Sequence, residues 1–139
     1  LATLTTGEPN LLFESFRPHK VLLVDTEQSS YNLNKQGQKA RQLGADMNNV
    51  MAYALRPVPA AKRILDYTIQ AANEFCPDII IIDNIKDMVA DFNNLTESSE
   101  AVRRLMKLAE DLKCGIIAVI HENIDSENEP ERVIGFCLM

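Results

Sequence analysis

Four consecutive isoleucines, Ile79 to Ile82, set between Cys76-Pro77-Asp78 and Asp83, constrain the fold more than any other stretch of this chain. So short an apolar run fits a strand buried on both faces, the pattern of a parallel sheet covered by helices. Pro77 falls just ahead of the strand, where its missing N–H leaves no ladder bond unmade. Asp83 comes where the strand ends, at the carboxyl edge where open α/β sheets place their ligands. A carboxylate there suits a nucleotide-bound magnesium ion, held directly or through water. The other reading is an acidic residue that opens an ordinary loop. Asp83 by itself does not decide between them.

The rest of the chain bears on that choice. Its 139 residues suit one domain with a single core. A hydrophobic content of 46% and a charged content of 24% are those of a soluble globular protein. No apolar run approaches the roughly 20 residues of a membrane helix, so no membrane partner is expected. The opening Leu1-Ala2-Thr3-Leu4-Thr5-Thr6 carries no basic region, and no signal peptide is expected. A net charge of −6 argues against a broadly cationic nucleic-acid surface while leaving a local patch open. Cys76, Cys114 and Cys137 form no close metal-ligand spacing, and reduced thiols in a cytoplasmic protein are the simplest expectation.

Taken in order, residues 1–7 read as the last turns of a helix closed by Gly7. A connector with two prolines follows, whose Leu11-Leu12-Phe13 suits the cover of a sheet edge. Val21-Leu22-Leu23-Val24-Asp25 is the first clear strand, delivering Asp25-Thr26-Glu27 at its carboxyl end. Ser29 and Ser30 are N-cap candidates for a polar helix that runs to about Leu43 and is stopped by Gly44. Lys35, Lys39 and Arg41 on that helix read as a solvated face in preference to a DNA contact. Asn49 to Leu55 is a weaker strand, expected at an edge. Ala61, Ile64, Leu65, Thr68, Ala71, Ala72 and Phe75 keep the helical period, which predicts a helix from about Ala60 to Phe75. After the isoleucine strand, 84–94 reads as a polar loop or short helix with Asp87 and Asp91. Thr96 is the expected N-cap of a helix to about Lys113, with Val102, Leu105, Met106, Ala109 and Leu112 as its buried stripe. Gly115 to Ile120 is a further apolar strand ending in His121-Glu122-Asn123, then comes an acidic loop, and Val133 to Met139 suits a last short strand. Strands alternate with helices at βαβ spacing, so the class is α/β with a mainly parallel sheet.

Three apolar strands thus end in polar groups: Asp25-Thr26-Glu27, Asp83 and His121-Glu122-Asn123. A parallel sheet brings such ends to one edge, and three together favour a site. In these segments, "VLLVDTEQS … PDIIIIDNIKDMV … LAEDLKCGIIAVIHEN", the chain resembles the RecA-like ATPases. That group includes DnaB-type helicases and the ATPases of plasmids and mobilisable transposons. The resemblance spans about Lys20 to Asn123, and it implies a RecA-like three-layer fold. It implies that Asp83 is the Walker B aspartate that holds magnesium, and that Glu27 is the glutamate that activates the attacking water. It casts His121 as the polar sensor of the γ-phosphate, assisted by Asn123. Asp25 is a candidate for the nucleotide site too, although both Asp25 and Asp87 also suit the capping of a loop. In the complete protein it implies ATP and Mg2+ as ligands, DNA as partner, and a homo-oligomer.

One motif of the family is not in these residues. There is no G-x-x-x-x-G-K-[ST] sequence, the loop whose backbone N–H groups and lysine cradle the phosphates. The expectation is a chain cut just after that loop, so that the fold lacks its first strand and the 139 residues bind ATP weakly or not at all. The remaining strands are then expected in the order 49–55, 21–25, 78–83, 116–120. The flank of 116–120 is to be filled by Val133 to Met139 or by a second molecule. The leading functional expectation is a fragment of an ATPase linked to DNA mobilisation, replication or unwinding. The competing one is a non-catalytic RecA-like module for protein contacts. A third is a small-molecule enzyme that uses Asp25, Glu27 and Asp83 with a metal.

Overall fold

The computed structural model describes residues 1–8, 15, 17–91, 93–122 and 132–138, with only the backbone described at 2, 121, 122 and 132–138. The elements run α1 (Ala2–Thr6), β1 (Val21–Asp25), α2 (Ser30–Gln42), β2 (Val50–Ala54), α3 (Ala61–Phe75), β3 (Ile79–Asp83), α4 (Leu95–Leu112), β4 (Gly115–Glu122) and β5 (Arg132–Leu138). Short 3-10 turns precede β2 (Met47–Asn49) and follow β3 (Ile85–Met88). Leu11-Leu12-Phe13 and Asn123 lie outside the described residues.

The five strands form one sheet in the order β2-β1-β3-β4-β5. The first four are parallel, and β5 joins β4 antiparallel from Ile116↔Leu138 to Glu122↔Arg132. This is the expected order, with β2 at the edge and the C-terminal segment on the flank of β4. A second molecule is not needed to cover that flank.

Right-handed crossovers place α3 and α4 on one face of the sheet and α2 on the other. The core lies under α3 and α4. Leu22, Val24, Ile80, Ile82 and Ile116 are fully buried there, against Ile64, Leu65 and Ala72 of α3 and Leu105 and Leu108 of α4. Truncating one of these, such as Leu105→Ala, is of the kind that costs about 2–5 kcal/mol. The four isoleucines do not share that burial equally. Ile80 and Ile82 are sealed, whereas Ile79 and Ile81, on the opposite face, are half-buried among the described residues. Burial on both faces, as the run suggested, is therefore complete on only one of them.

Local signals explain several helix ends. Gly7 closes α1 with φ +75°, and a Cβ there would come within 3.0 Å of the Arg17 carbonyl carbon. Ser29 caps α2 by accepting from the Asn32 N–H. The lysines and arginine of α2 are exposed, and Leu33 is its only buried residue. Two expectations for α4 need correction. The cap is Asn94, whose Oδ1 accepts from the N–H groups of Thr96 and Glu97, so the helix begins ahead of Thr96. The buried stripe is Ala101, Leu105, Leu108 and Ala109, while Val102 and Met106 are 38% and 55% exposed. Leu105 and Ala109 are buried as expected, and the rest of the stripe is shifted by about one residue, from Val102 to Ala101. Val102 and Met106 instead line an apolar hollow of about 680 Å3 with Ile85, Ala118 and Ile120.

Candidate functional site

Strand register brings the polar ends together. Asp25 and Asp83 are direct partners on the neighbouring strands β1 and β3, and Asp83 is level with Val119 of β4. His121 lies two residues farther along β4, roughly 6–7 Å past that level. Its backbone therefore stands at the same edge.

The exits of β1 and β3 are tied by hydrogen bonds. The Thr26 N–H donates to the Asp83 carbonyl oxygen at 2.7 Å, extending the ladder by one residue. Thr26 Oγ1 accepts from the Asn84 N–H at 2.9 Å and donates to Asp87 Oδ2 at 2.6 Å. Thr26 and Asn84 are both only 5% exposed, so these bonds satisfy polar groups that water does not reach. Asp87 thereby ties the 3-10 turn after β3 back onto β1.

Asp25 is 3% exposed, and its Oδ1 accepts from the N–H groups of Glu27 at 3.0 Å and Gln28 at 2.8 Å. This is a side-chain turn that fixes the backbone carrying Glu27. The loop-capping role that its position suggested is the one its side chain performs. Glu27 itself is exposed, and its Oε1 accepts from Asn84 Nδ2 at 3.0 Å. Asp83 is half-buried at the end of β3.

The cluster is acidic, with Asp25, Glu27, Asp83 and Asp87 around the two exits and Lys86 in the 3-10 turn. Among the described residues no group of three or more His, Cys, Asp or Glu side chains is arranged to hold a metal ion. An all-protein metal cage built from Asp25, Glu27 and Asp83 is thus not what this edge provides. A lone carboxylate at a strand end does fit Mg2+ that arrives on phosphates, since that ion is commonly held by one or two carboxylates and its nucleotide.

Beside the cluster, on the α3 side, an open hollow of about 600 Å3 is lined by Thr26, Arg56, Pro59, Lys62 and Asp87. It places two cationic side chains near the acidic edge. Sequence reasoning passed over Asn84 and treated Thr26 only as part of a polar triplet. The one local signal for them was a polar residue directly after each strand-ending aspartate.

A family model described as an AAA domain matches residues 1–127. The chain belongs to that family. It is therefore related to the P-loop ATPases of RecA-like architecture, and the α/β sheet with helices on both faces agrees. No curated protein matches the chain. Among the described residues, no helix of this AAA-family domain is long and apolar enough to cross a membrane.

Proposed function

We propose that this chain is part of a RecA-like ATPase that couples ATP hydrolysis to DNA mobilisation, replication or unwinding, with Asp83 as the Walker B aspartate and Glu27 as the acceptor of the water proton. The observation that carries the reading is the stitched pair of strand exits, which holds Glu27 and Asp83 at one edge of adjacent strands. Asp83 is the residue that would hold Mg2+, and the ion would supply charge neutralisation at the phosphates. Glu27 would orient a water molecule toward the γ-phosphorus of ATP and take its proton as the P–O bond to the leaving ADP breaks. Asp25 serves by fixing the Glu27 backbone. His121, and Asn123 after it, are assigned the sensing of the γ-phosphate from the end of β4. DNA and further copies of the chain are the partners of the complete assembly.

The absence of a G-x-x-x-x-G-K-[ST] sequence in these residues sets the first test. Without its N–H cradle and lysine, an edge carrying Glu27, Asp83 and Asp87 has no backbone nest to hold the polyphosphate, and Arg56 and Lys62 beside it do not replace that loop. Residues 1–139 are expected to bind ATP weakly or not at all. Calorimetry with Mg2+ and micromolar ATP should show no saturation, and clear saturation would sink this expectation. In a protein carrying these residues behind a phosphate loop, natural or grafted, Glu27→Gln should lower turnover by roughly 10²–10⁴-fold while ATP still binds. Wild-type turnover in that variant would remove Glu27 from the role. Absence of nucleotide binding even behind a phosphate loop would favour a non-catalytic interaction module instead.

A further inference from the structure

Asn84 is held at both ends. The Lys86 N–H approaches its side-chain oxygen at 3.0 Å, and an N–H needs an acceptor, so Oδ1 faces Lys86. That fixes the amide orientation, which position alone does not reveal. Nδ2 then faces Glu27 Oε1 at 3.0 Å as a donor to a carboxylate, one of the stronger kinds of hydrogen bond. The backbone N–H of Asn84 is engaged by Thr26 Oγ1 at 2.9 Å, and the residue is 5% exposed. Swinging the donor away would also break the bond of Oδ1 to the Lys86 N–H.

Glu27, by contrast, is an exposed side chain with several rotatable bonds, and the amide of buried Asn84 reaches it across 57 residues of sequence. Capping of the 3-10 turn explains Oδ1 alone. It does not require an amide donor on the other side, where a second acceptor would serve the turn equally well. Asn84 also follows Asp83 directly, so one residue links the end of β3 to the carboxylate on β1.

We propose that Asn84 is a positioning residue for Glu27, its buried Nδ2 setting the direction in which the carboxylate meets the attacking water. This rests on the proton-acceptor reading of Glu27 given above. The discriminating substitution is Asn84→Asp, which keeps an acceptor for the Lys86 N–H and replaces the donor to Glu27 by an oxygen.

In the protein carrying a phosphate loop, Asn84→Asp should lower kcat by roughly 10–100-fold, the usual effect of losing a supporting partner. KM for ATP should change by a smaller factor than kcat, because the lost donor acts on the attacking water while the added charge acts only on ground-state binding. Added to Glu27→Gln, the same substitution should cause no further loss, since it acts only through that carboxylate. An unchanged kcat in Asn84→Asp, or an equal fold loss in both backgrounds, would overturn the proposal. If Glu27→Gln itself keeps wild-type turnover, the assignment of Glu27 fails. If Glu27→Gln is inactive and Asn84→Asp is unimpaired, the role of Asn84 alone fails. Should Asn84→Asp not fold, Glu27→Ala in residues 1–139 supplies the second readout. The Asn84 side-chain amide resonances should shift in that variant, and unchanged resonances would overturn the contact.

Discussion

Strand β3 lies between two aspartates with opposite surroundings. Asp78, just before it, faces cations and N–H groups: Oδ1 accepts from Arg17 Nη2 at 2.8 Å, and Oδ2 from the Lys20 N–H at 2.8 Å. Lys20 in turn donates to the Phe75 carbonyl and lies over the Phe75 ring at 4.4 Å. The Lys20 carbonyl takes the N–H groups of Asp78 and Ile79, and the Asp78 carbonyl takes that of Gly115. Asp83, at the other end, stands level with Asp25 and near Glu27 and Asp87. An aspartate already matched by cations and N–H groups fastens the chain. One set at an edge shared with other carboxylates suits a cation brought by a ligand. The contrast teaches that the same residue type on one strand can be fastened at the start and, on the function proposed above, reserved for chemistry at the end.

Substitutions at the two ends should therefore move different observables. The largest effect belongs to Asp83→Asn in the phosphate-loop-bearing protein. Mg2+-dependent turnover should fall by about 100-fold or more, because charge stabilisation at the phosphates amounts to several kcal/mol. The stability of residues 1–139 toward urea should stay within about 0.5 kcal/mol. A large loss of stability with turnover retained would invert the comparison.

Next is Asp78→Asn, which removes the charge that Arg17 and Lys20 meet. Urea unfolding should show a loss of about 1 kcal/mol, because the Arg17 pair is largely solvent-exposed and the part-buried Lys20 N–H keeps only a neutral acceptor. Binding and turnover should be untouched, as the position lies at the far end of the sheet. Stability equal to wild type would mean that packing and the backbone bonds hold the start of β3 without the carboxylate charge.

The smallest effect is in pH. The Arg17 hydrogen bond is the main influence holding the Asp78 carboxyl below its ordinary value of 3.8, with the Lys20 N–H and the charges of Arg17 and His19 adding to it and burial opposing. A carboxyl lowered in the folded state contributes stability that is complete above its unfolded value and lost as pH falls through the folded one. Wild-type stability should therefore drop below about pH 4 by more than that of Asp78→Asn. Parallel acid curves for the two proteins would remove Asp78 from the effect.

The legible parts of this molecule were those with strong local signals. The apolar runs gave β1, β3 and β4, and the resemblance of their flanks gave the strand order. Gly7, Ser29 and Gly44 marked helix limits with local chemistry. The phase of α4 was harder. Val102 and Met106 are as apolar as Leu105 and Leu108, so the local pattern does not say which of them face the core and which line the neighbouring hollow. Asp25 and Asp83 could be assigned to one edge because each ends a strand. The Thr26–Asn84–Glu27 connection could not be read in advance. It joins residues 57 and 58 apart through bonds that exist only once β1 and β3 are in register.

The antiparallel pairing of β5 with β4 also bears on the order in which the sheet is assembled. Glu122 and Arg132 are register partners only ten positions apart, so closing that pair demands little loop entropy. A parallel strand supplied from ahead of Leu1 would have to reach β4 across more than a hundred residues, a contact that forms late. Both would compete for the same row of N–H and C=O groups. In any protein that carries a phosphate loop before these residues, the local hairpin has the kinetic advantage. It must then be displaced for the distant strand to take its place beside β4, or the newcomer must settle elsewhere.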